Sequence, residues 1–256
     1  MTTAPLIDSH CHLDFSIFDD DRSQILQRAS TNNINNIIIP GTQSMYWNRI
    51  KKLCSQYAQL HACYGLHPYW INNHNKTDIK QLNAYVSLNK PVALGECGLD
   101  FRPQQADKKT QRYFFEAQLD IAEQHRLPVV IHSVKATETV ISTLKQYKNL
   151  TGMIHSYSGS AEQARQLIDL NFFISVSGSV TYNNAKKIQA VVKSIPLNRL
   201  LLETDAPDQT DQKNIGKRNE PAYLINTLKK ISQLKQIPET VIAKQTTENA
   251  CLLFSI

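Results

Sequence analysis

The sequence predicts an α/β fold: a TIM-type (β/α)8 barrel. Three observations predict it. Short continuous apolar runs alternate with segments of helical spacing, the pattern of parallel strands covered on both faces. About eight such units fit in 256 residues, the length at which βα repeats close into a barrel of ~250 residues. No Gly- or Ser-rich linker and no low-complexity tract interrupts the series, so residues 1–256 are expected to form a single domain. The competing fold, an open doubly wound sheet, usually carries a glycine-rich first turn, which this chain lacks.

The elements follow in order. Leu6 and Ile7 open the first strand, 6–12. A polar segment, 19–32, places Ile25, Leu26 and Ala29 at helical spacing. Residues 37–39 are a buried strand ended by Pro40 and Gly41, and a helical pattern then runs to about 58. The third strand, 62–65, leads into Leu66-His67-Pro68. A helix at 79–88 precedes the fourth strand, 91–95, and a longer helix covers 107–125. Strand five, 128–131, ends in His132 and is followed by a helix at 137–147. Strand six, 152–154, ends in His155, with a helix at 161–170. Strand seven, 172–176, ends in Ser177-Gly178, with a helix at 184–194. Strand eight, 200–202, ends in Glu203-Thr204-Asp205. A polar loop and helices at 222–234 and 239–253 complete the chain.

Composition narrows the class. The chain is 41% hydrophobic and 20% charged, enough to bury a substantial core. A net charge of +6 and a pI near 9.0 favour an anionic partner without requiring one. The five cysteines are scattered, odd in number and form no CxxC pair, which argues against a disulfide framework and for a reducing compartment. The first residues carry no signal-peptide pattern, and no apolar run approaches the ~18 residues needed to span a bilayer. A cytoplasmic protein with no membrane attachment and no obligate protein partner is expected.

The histidines carry the chemistry. In a (β/α)8 barrel the reacting groups sit at the C-terminal ends of the strands. Of eight histidines, five fall there: His10 and His12 end strand one, His67 strand three, His132 strand five and His155 strand six. On an extended strand Asp8, His10 and His12 share one face. Imidazoles buried together repel when charged and lack partners when neutral, and a metal resolves both problems. Glu96, in Gly95-Glu96-Cys97-Gly98-Leu99-Asp100, and Asp205, in Glu203-Thr204-Asp205-Ala206-Pro207, add carboxylates at the same rim. Four histidines with Glu96 and Asp205 suffice for two divalent ions. Imidazole-rich shells favour zinc, manganese or nickel over magnesium by intrinsic affinity. Asp8 is expected to orient a histidine, and Cys11 and Cys97 alternate away from their ligand neighbours and read as packing residues. His125, at a helix C-terminus, complements the helix dipole.

These stretches resemble the TatD family of metal-dependent deoxyribonucleases, within the amidohydrolase-like TIM-type barrels, and most closely its YjjV branch. The matching motifs are DSHCHLD at 8–14, GLHP at 65–68, GECGLDF at 95–101, PVVIHS at 128–133, HSYSGS at 155–160, ETDAP at 203–207 and NEP at 219–221, in one order over nearly the whole chain. The resemblance implies hydrolysis of phosphodiester bonds in DNA, as a 3′–5′ exonuclease acting on single strands or 3′ ends. It implies His10, His12, Glu96, His132, His155 and Asp205 as ligands of two divalent metal ions (Zn, Mn, Ni or Mg), with Glu96 bridging them and His67 facing substrate. Two residues after the strand-five histidine the family usually has an arginine. Here that position is Val134, which leaves the phosphate contact to Lys135.

The expected chemistry is metal-assisted hydrolysis, with Asp205 as both ligand and general base and Glu96 and His67 at the reacting centre. Arg102 is expected to pair with a substrate phosphate. The segment 101–113 sets Arg102, Lys108, Lys109 and Arg112 against Asp107, and Trp70, Tyr157 and Tyr182 lie in loops where they can stack on unpaired bases. Two other classes use the same metal core: an amidohydrolase or deacylase for small or tRNA-linked substrates, and a non-catalytic nucleic-acid-binding barrel with a structural metal. The carboxylates argue against the last, because structural sites are normally closed and tetrahedral.

Overall fold

The computed structural model describes residues 4–256. Eight parallel strands pair in chain order: β1 (Leu6–Asp8), β2 (Ile34–Pro40), β3 (Leu60–Tyr64), β4 (Ala93–Asp100), β5 (Val129–Val134), β6 (Gly152–Ile154), β7 (Phe172–Val176) and β8 (Leu200–Leu202). The turn closes between β8 and β1. There the Ser9 N–H donates to the Leu202 carbonyl at 3.0 Å and the Asp205 N–H to the His10 carbonyl at 2.9 Å. The result is a nearly closed TIM-type barrel.

Helices cover the outside: α1 (Arg22–Thr31), α2 (Trp47–Gln56), α3 (Lys76–Asn89), α4 (Lys108–His125), α5 (Thr137–Leu144), α6 (Ala161–Asp169), α7 (Lys186–Ser194), α8 (Leu224–Lys235) and α9 (Glu239–Phe254). Their ends are written in the sequence. The Asn75 side chain starts α3 and Ser160 starts α6, each in a reciprocal capping box, and the Asp107 carboxylate accepts from the Lys109 and Thr110 N–H groups to start α4. His125 closes α4 as expected and also bonds Asn83 Oδ1 at 2.6 Å. Among the described residues no helix is long and apolar enough to cross a membrane.

The barrel interior is layered. Ile7, Ile38, Cys63, Val130, Met153, Phe173 and Leu201 form an apolar layer closed from below by Ala250, Leu253 and Phe254 of α9. Two residues further along five strand paths stand Ser9, His132, His155, Ser175 and Glu203. Alternation along a strand therefore puts polar groups directly above the apolar layer.

Three of the strand ends that differ from the sequence reading bear on the histidines and Glu96. β1 stops at Asp8, so His10 and His12 lie beyond it in a loop held by Cys11 N–H to the Ile38 carbonyl and His12 N–H to the Ala206 carbonyl. β4 and β5 run on to Asp100 and Val134, which places Glu96 and His132 inside strands rather than after them. The long β4–β5 ladder supplies backbone partners past the apolar run that the sequence reading took as the whole strand.

Candidate metal centre

Glu96 is the hub. On β4, Leu94 pairs with Val129 and Cys97 with Ile131, so an extra residue is accommodated between them. Such a bulge re-aims a side chain. Gly95 and Gly98 make it fit: both have positive φ (145° and 137°), and a Cβ at Gly98 would stand 2.1 Å from the His132 carbonyl oxygen. Five imidazoles converge on the Glu96 carboxylate. His155 Nε2 is 2.8 Å and His132 Nδ1 3.1 Å from Oε1, and His67 Nε2 is 3.1 Å from the same oxygen. His10 Nε2 and His12 Nε2 are 3.3 and 3.5 Å from Oε2.

The rings also meet one another. His10 and His12 approach Nε2 to Nε2 at 3.2 Å, His132 Nδ1 lies 3.0 Å from His155 Nε2, and His10 stacks on His155 with centroids 4.0 Å apart. Asp205 Oδ1 stands 3.4 Å from His10 Nε2 and 3.7 Å from His12 Nε2. The other Asp205 oxygen accepts from the Gln209 side-chain amide, whose carbonyl accepts from Ser156 and Ser177 hydroxyls.

Burial sets the protonation of these groups. It lowers His10 and His67 below the ordinary imidazole value and brings His12 down to about 4. Burial acts the same way on His155, but Glu96, Glu203 and Asp205 outweigh it and raise that ring. Burial would raise Glu96, yet the imidazoles around it hold its carboxyl well below the usual range. Asp205 is raised, by burial first and by Glu203, Glu96 and Asp208 against the opposing pull of His155.

The donor set fits divalent cations. Neutral imidazoles and carboxylates are what transition metals take up. His10 Nδ1, His12 Nδ1 and His155 Nδ1 are buried with no hydrogen-bond partner, so hydrogen bonding among the rings leaves the cluster incompletely satisfied. Three groups bring their ligand atoms close enough for an ion: His10 with His12 and Glu96, His10 with His155 and Glu203, and His67 with Glu96 and His132.

Some placements differ from expectation, and others were not foreseen. His67 Nδ1 accepts the Tyr69 N–H at 3.0 Å, so its neutral ring carries the proton on Nε2 and donates toward Glu96. Asp8 orients backbone rather than an imidazole. It accepts from the Thr204 N–H and hydroxyl and from the His10 N–H, and burial pushes it up to about 7. Cys11 and Cys97 are packed as expected, with their thiols against the Ala206 and Val130 carbonyls. Arg102 lies with its guanidinium on both oxygens of Asp100, and Asp100 faces His132 Nε2 at 3.4 Å. Lys135 is exposed just past β5. Tyr157 and Tyr182 are committed to the Ser160 and Thr210 carbonyls, whereas Trp70 lines an open cleft.

Sequence reasoning did not single out Asp100, Glu203 or Gln209. Glu203 accepts from the Ser156 N–H and the Ser175 hydroxyl, and its Oε1 is 3.7 Å from His155 Nδ1. Its signal was parity: Glu203 stands two residues after Leu201 of the inner apolar layer. Gln209 left no such signal, because a loop brings it back.

Comparisons with known proteins agree with this geometry. The family model described as TatD related DNase matches residues 7–255. The chain is 36% identical over 253 residues to a protein of Bacillus subtilis named uncharacterized metal-dependent hydrolase YabD, covering 98% of this chain and 99% of that one. It is 34% identical to the uncharacterized metal-dependent hydrolase YjjV of Escherichia coli, with 98% of each covered. The crystal structure of the E. coli TatD homologue YjjV superposes with a TM-score of 0.93 at 33% identity over 98% of both chains. A TatD family protein of Entamoeba histolytica, 23% identical, shares the fold with a TM-score of 0.87 over 99% of both chains. With the family model spanning nearly its full length, this chain belongs to the TatD family.

Proposed function

We propose that this protein is a metal-dependent hydrolase that cleaves phosphodiester bonds of DNA, working from 3′ ends as an exonuclease. The observation that carries the reading is the convergence of five imidazoles and two carboxylates on one buried centre at the barrel mouth. The family description and the surplus of basic residues support a nucleic-acid substrate. The free cysteines fit the reducing cytoplasm.

In this reading His10, His12, Glu96, His132, His155 and Asp205 hold two divalent ions. When bound, the ions supply Lewis-acid charge to the phosphate and bring a water's pKa toward neutrality. Asp205 takes the proton of the attacking water. Gln209 holds one Asp205 oxygen so that the other faces His10. His67 carries its one N–H on Nε2, since its Nδ1 is occupied by Tyr69; that N–H faces Glu96 and would turn to a phosphate oxygen once Glu96 holds metal. Asp100 orients His132 and fixes Arg102 at the edge of the site, where the rest of the guanidinium can meet a phosphate. Lys135 supplies a further charge.

The test is hydrolysis of end-labelled single-stranded and duplex DNA by protein loaded with Zn, Mn, Ni or Mg, with and without chelator. Stepwise shortening from the 3′ end that chelator abolishes is the expected result. Inertness toward DNA with turnover of acyl esters or amides, including aminoacyl-tRNA, replaces this reading with a deacylase. Metal content with no turnover of any of these leaves only a binding barrel.

A further inference from the structure

Two clefts flank the Glu96 cluster at the barrel mouth, and their chemistry differs. One, of about 590 Å3, is built by the loops after β8, β1, β2 and β3 and is lined by Phe15, Tyr46, Trp70, Gln43, Asp14 and Asp208. The other, of about 410 Å3, is built by the loops after β5 to β8, with Ser156, Ser158, Ser179, Lys186 and Lys187 on its walls. We propose that the aromatic cleft seats an unpaired nucleobase beside the scissile phosphodiester. The proposal rests on the reading of the metal centre as a phosphodiesterase and adds to it the group that holds the substrate in register.

Adjacency is the first support. The Phe15 ring stacks on the His12 imidazole, with centroids 4.7 Å apart and planes 15° apart, so a wall of the cleft is also a wall of the metal centre. The Asp208 N–H donates to the Asp205 carbonyl at 2.9 Å, which ties the opposite wall to the same centre. A nucleotide whose phosphate lies at Glu96 and Asp205 therefore has its base within reach of Phe15.

The lining then selects for a base over a phosphate. Three aromatic rings are half-buried there, and Trp70 is braced edge-on by Tyr69 with centroids 4.7 Å apart. Flat faces of this kind take any base by stacking. Asp14 and Asp208 put two carboxylates on the cleft. Its one cation, Arg49, is engaged by the Asp14 carbonyl and the Asp19 carboxylate. Such a balance leaves a phosphate no free cation to pair with. It suits the exocyclic amino and ring N–H donors of a base edge, with the Gln43 amide as an adaptable partner. Asp14 is 2% exposed and its Oδ1 has no hydrogen-bond partner. The hydroxyls and lysines of the opposite cleft are the better place for the neighbouring phosphate. A base paired and stacked within a duplex offers this cleft neither a free edge nor free faces, so strand ends and single strands are the substrates that suit it.

The test separates this seat from the activity. The chain has two tryptophans, and Trp47 is 3% exposed, so ligand-dependent fluorescence in the metal-loaded protein reports Trp70. Deoxyadenosine and deoxycytidine 5′-monophosphates are expected to quench it, deoxyribose 5-phosphate is not, and Trp70→Phe should remove most of the signal. In hydrolysis assays Trp70→Ala should raise KM for a single-stranded oligonucleotide about five- to a hundredfold, the span of base–aromatic stacking. An abasic site at one of the two nucleosides flanking the terminal phosphodiester should do the same to the unaltered protein, which keeps the test independent of how the variant folds. Equal binding of nucleotide and sugar phosphate, or indifference to abasic substitution at both positions in a protein that cuts DNA, overturns the seat and leaves the nuclease reading standing. Base-dependent quenching in a protein that cuts no DNA supports the seat and overturns the nuclease reading.

Discussion

At the N-terminal end of the barrel the interior is filled by Ile7, Val130, Met153, Phe173 and Leu201, with Leu253 and Phe254 of α9 beneath them. Two residues further along the same chain paths it is filled by Ser9, His132, His155, Ser175 and Glu203. Both layers are buried, yet only the lower one needs nothing from outside. Apolar side chains are stabilised by leaving water. A buried imidazole without a partner costs free energy; His155 Nδ1 in the upper layer has none, nor have His10 and His12 Nδ1 beside it. One barrel thus keeps its stability at one end and its chemistry at the other, and the boundary between them is one turn of the strand pleat.

The largest effect that sharpens this contrast lies in the upper layer. Asp205→Asn is expected to lower turnover about 10²–10⁴-fold, the range for loss of a general base, while the fold and at least one bound metal are kept. His10→Ala removes a ligand, so metal content and activity should fall together and excess metal should restore part of the activity. Metal analysis and DNA hydrolysis across a metal titration compare the two variants. Full rescue of Asp205→Asn by metal means that the proton goes elsewhere.

The matching experiment in the lower layer is Met153→Ala. Met153 is 0% exposed and stands two residues before His155 on β6. Its truncation is expected to cost about 2–5 kcal/mol in urea unfolding. The kcat measured below the melting range should stay close to that of the unaltered protein. A collapse of kcat in a folded variant shows that the two layers are mechanically one, and the division drawn above fails.

The contrast also explains what the sequence revealed. The lower layer announced itself as about eight short apolar runs, because burial on both faces selects apolar residues along most of a strand. The histidines followed from those runs, since His67, His132 and His155 sit just past them. Glu96 was found by its motif. Its aim came from a bulge in the β4–β5 ladder, which alternation along one strand cannot foretell. Asp100 and Gln209 stayed hidden for a different reason: their partners, His132 and Asp205, are met only when strands and loops far apart in sequence are closed into a ring. Arg102 read as a free cation because the carboxylate two residues before it gives no sign of turning back onto it.

A smaller effect separates the two buried layers by pH. Asp100 is fully buried; burial would raise its carboxyl, but His132 and Arg102 hold it well below the ordinary range. A depressed carboxyl adds stability above the unfolded value of about 4 and loses it as pH falls toward the folded value. Asp100→Asn should therefore be less stable than the unaltered protein at pH 6, by about 1.5–3 kcal/mol for hydrogen bonds to a charged group. The difference should shrink between pH 4 and pH 2.5. Urea unfolding of both proteins at these values measures it. A gap that does not change with pH means that Asp100 acts through shape and neutral hydrogen bonds. Met153→Ala, with no titrating group, should show a gap independent of pH over the same range.

The smallest expected effect is at the rim, where the polar layer meets solvent. Lys135 is exposed beyond β5, at the step after Val134, which lines the lysine-bearing cleft. An exposed ammonium acts on a phosphate through a screened charge, and single-strand binding loses about 0.7 in its logarithmic salt slope for each phosphate contact removed. Lys135→Ala is expected to leave kcat unchanged and to raise KM for single-stranded DNA a few-fold at low salt. The difference should fade as salt is added. Lys187 is the internal comparison, because its ammonium is already bonded to the Ser158 carbonyl at 2.7 Å and is held toward the same cleft. A fixed cation loses less freedom on meeting a phosphate, so Lys187→Ala should change KM more than Lys135→Ala does. Measuring KM for both variants from 20 to about 300 mM salt, across which the Debye length falls well below 10 Å, orders them. If neither variant changes the salt slope, no phosphate lies in this cleft, and the basic side of the mouth is only a solvated surface.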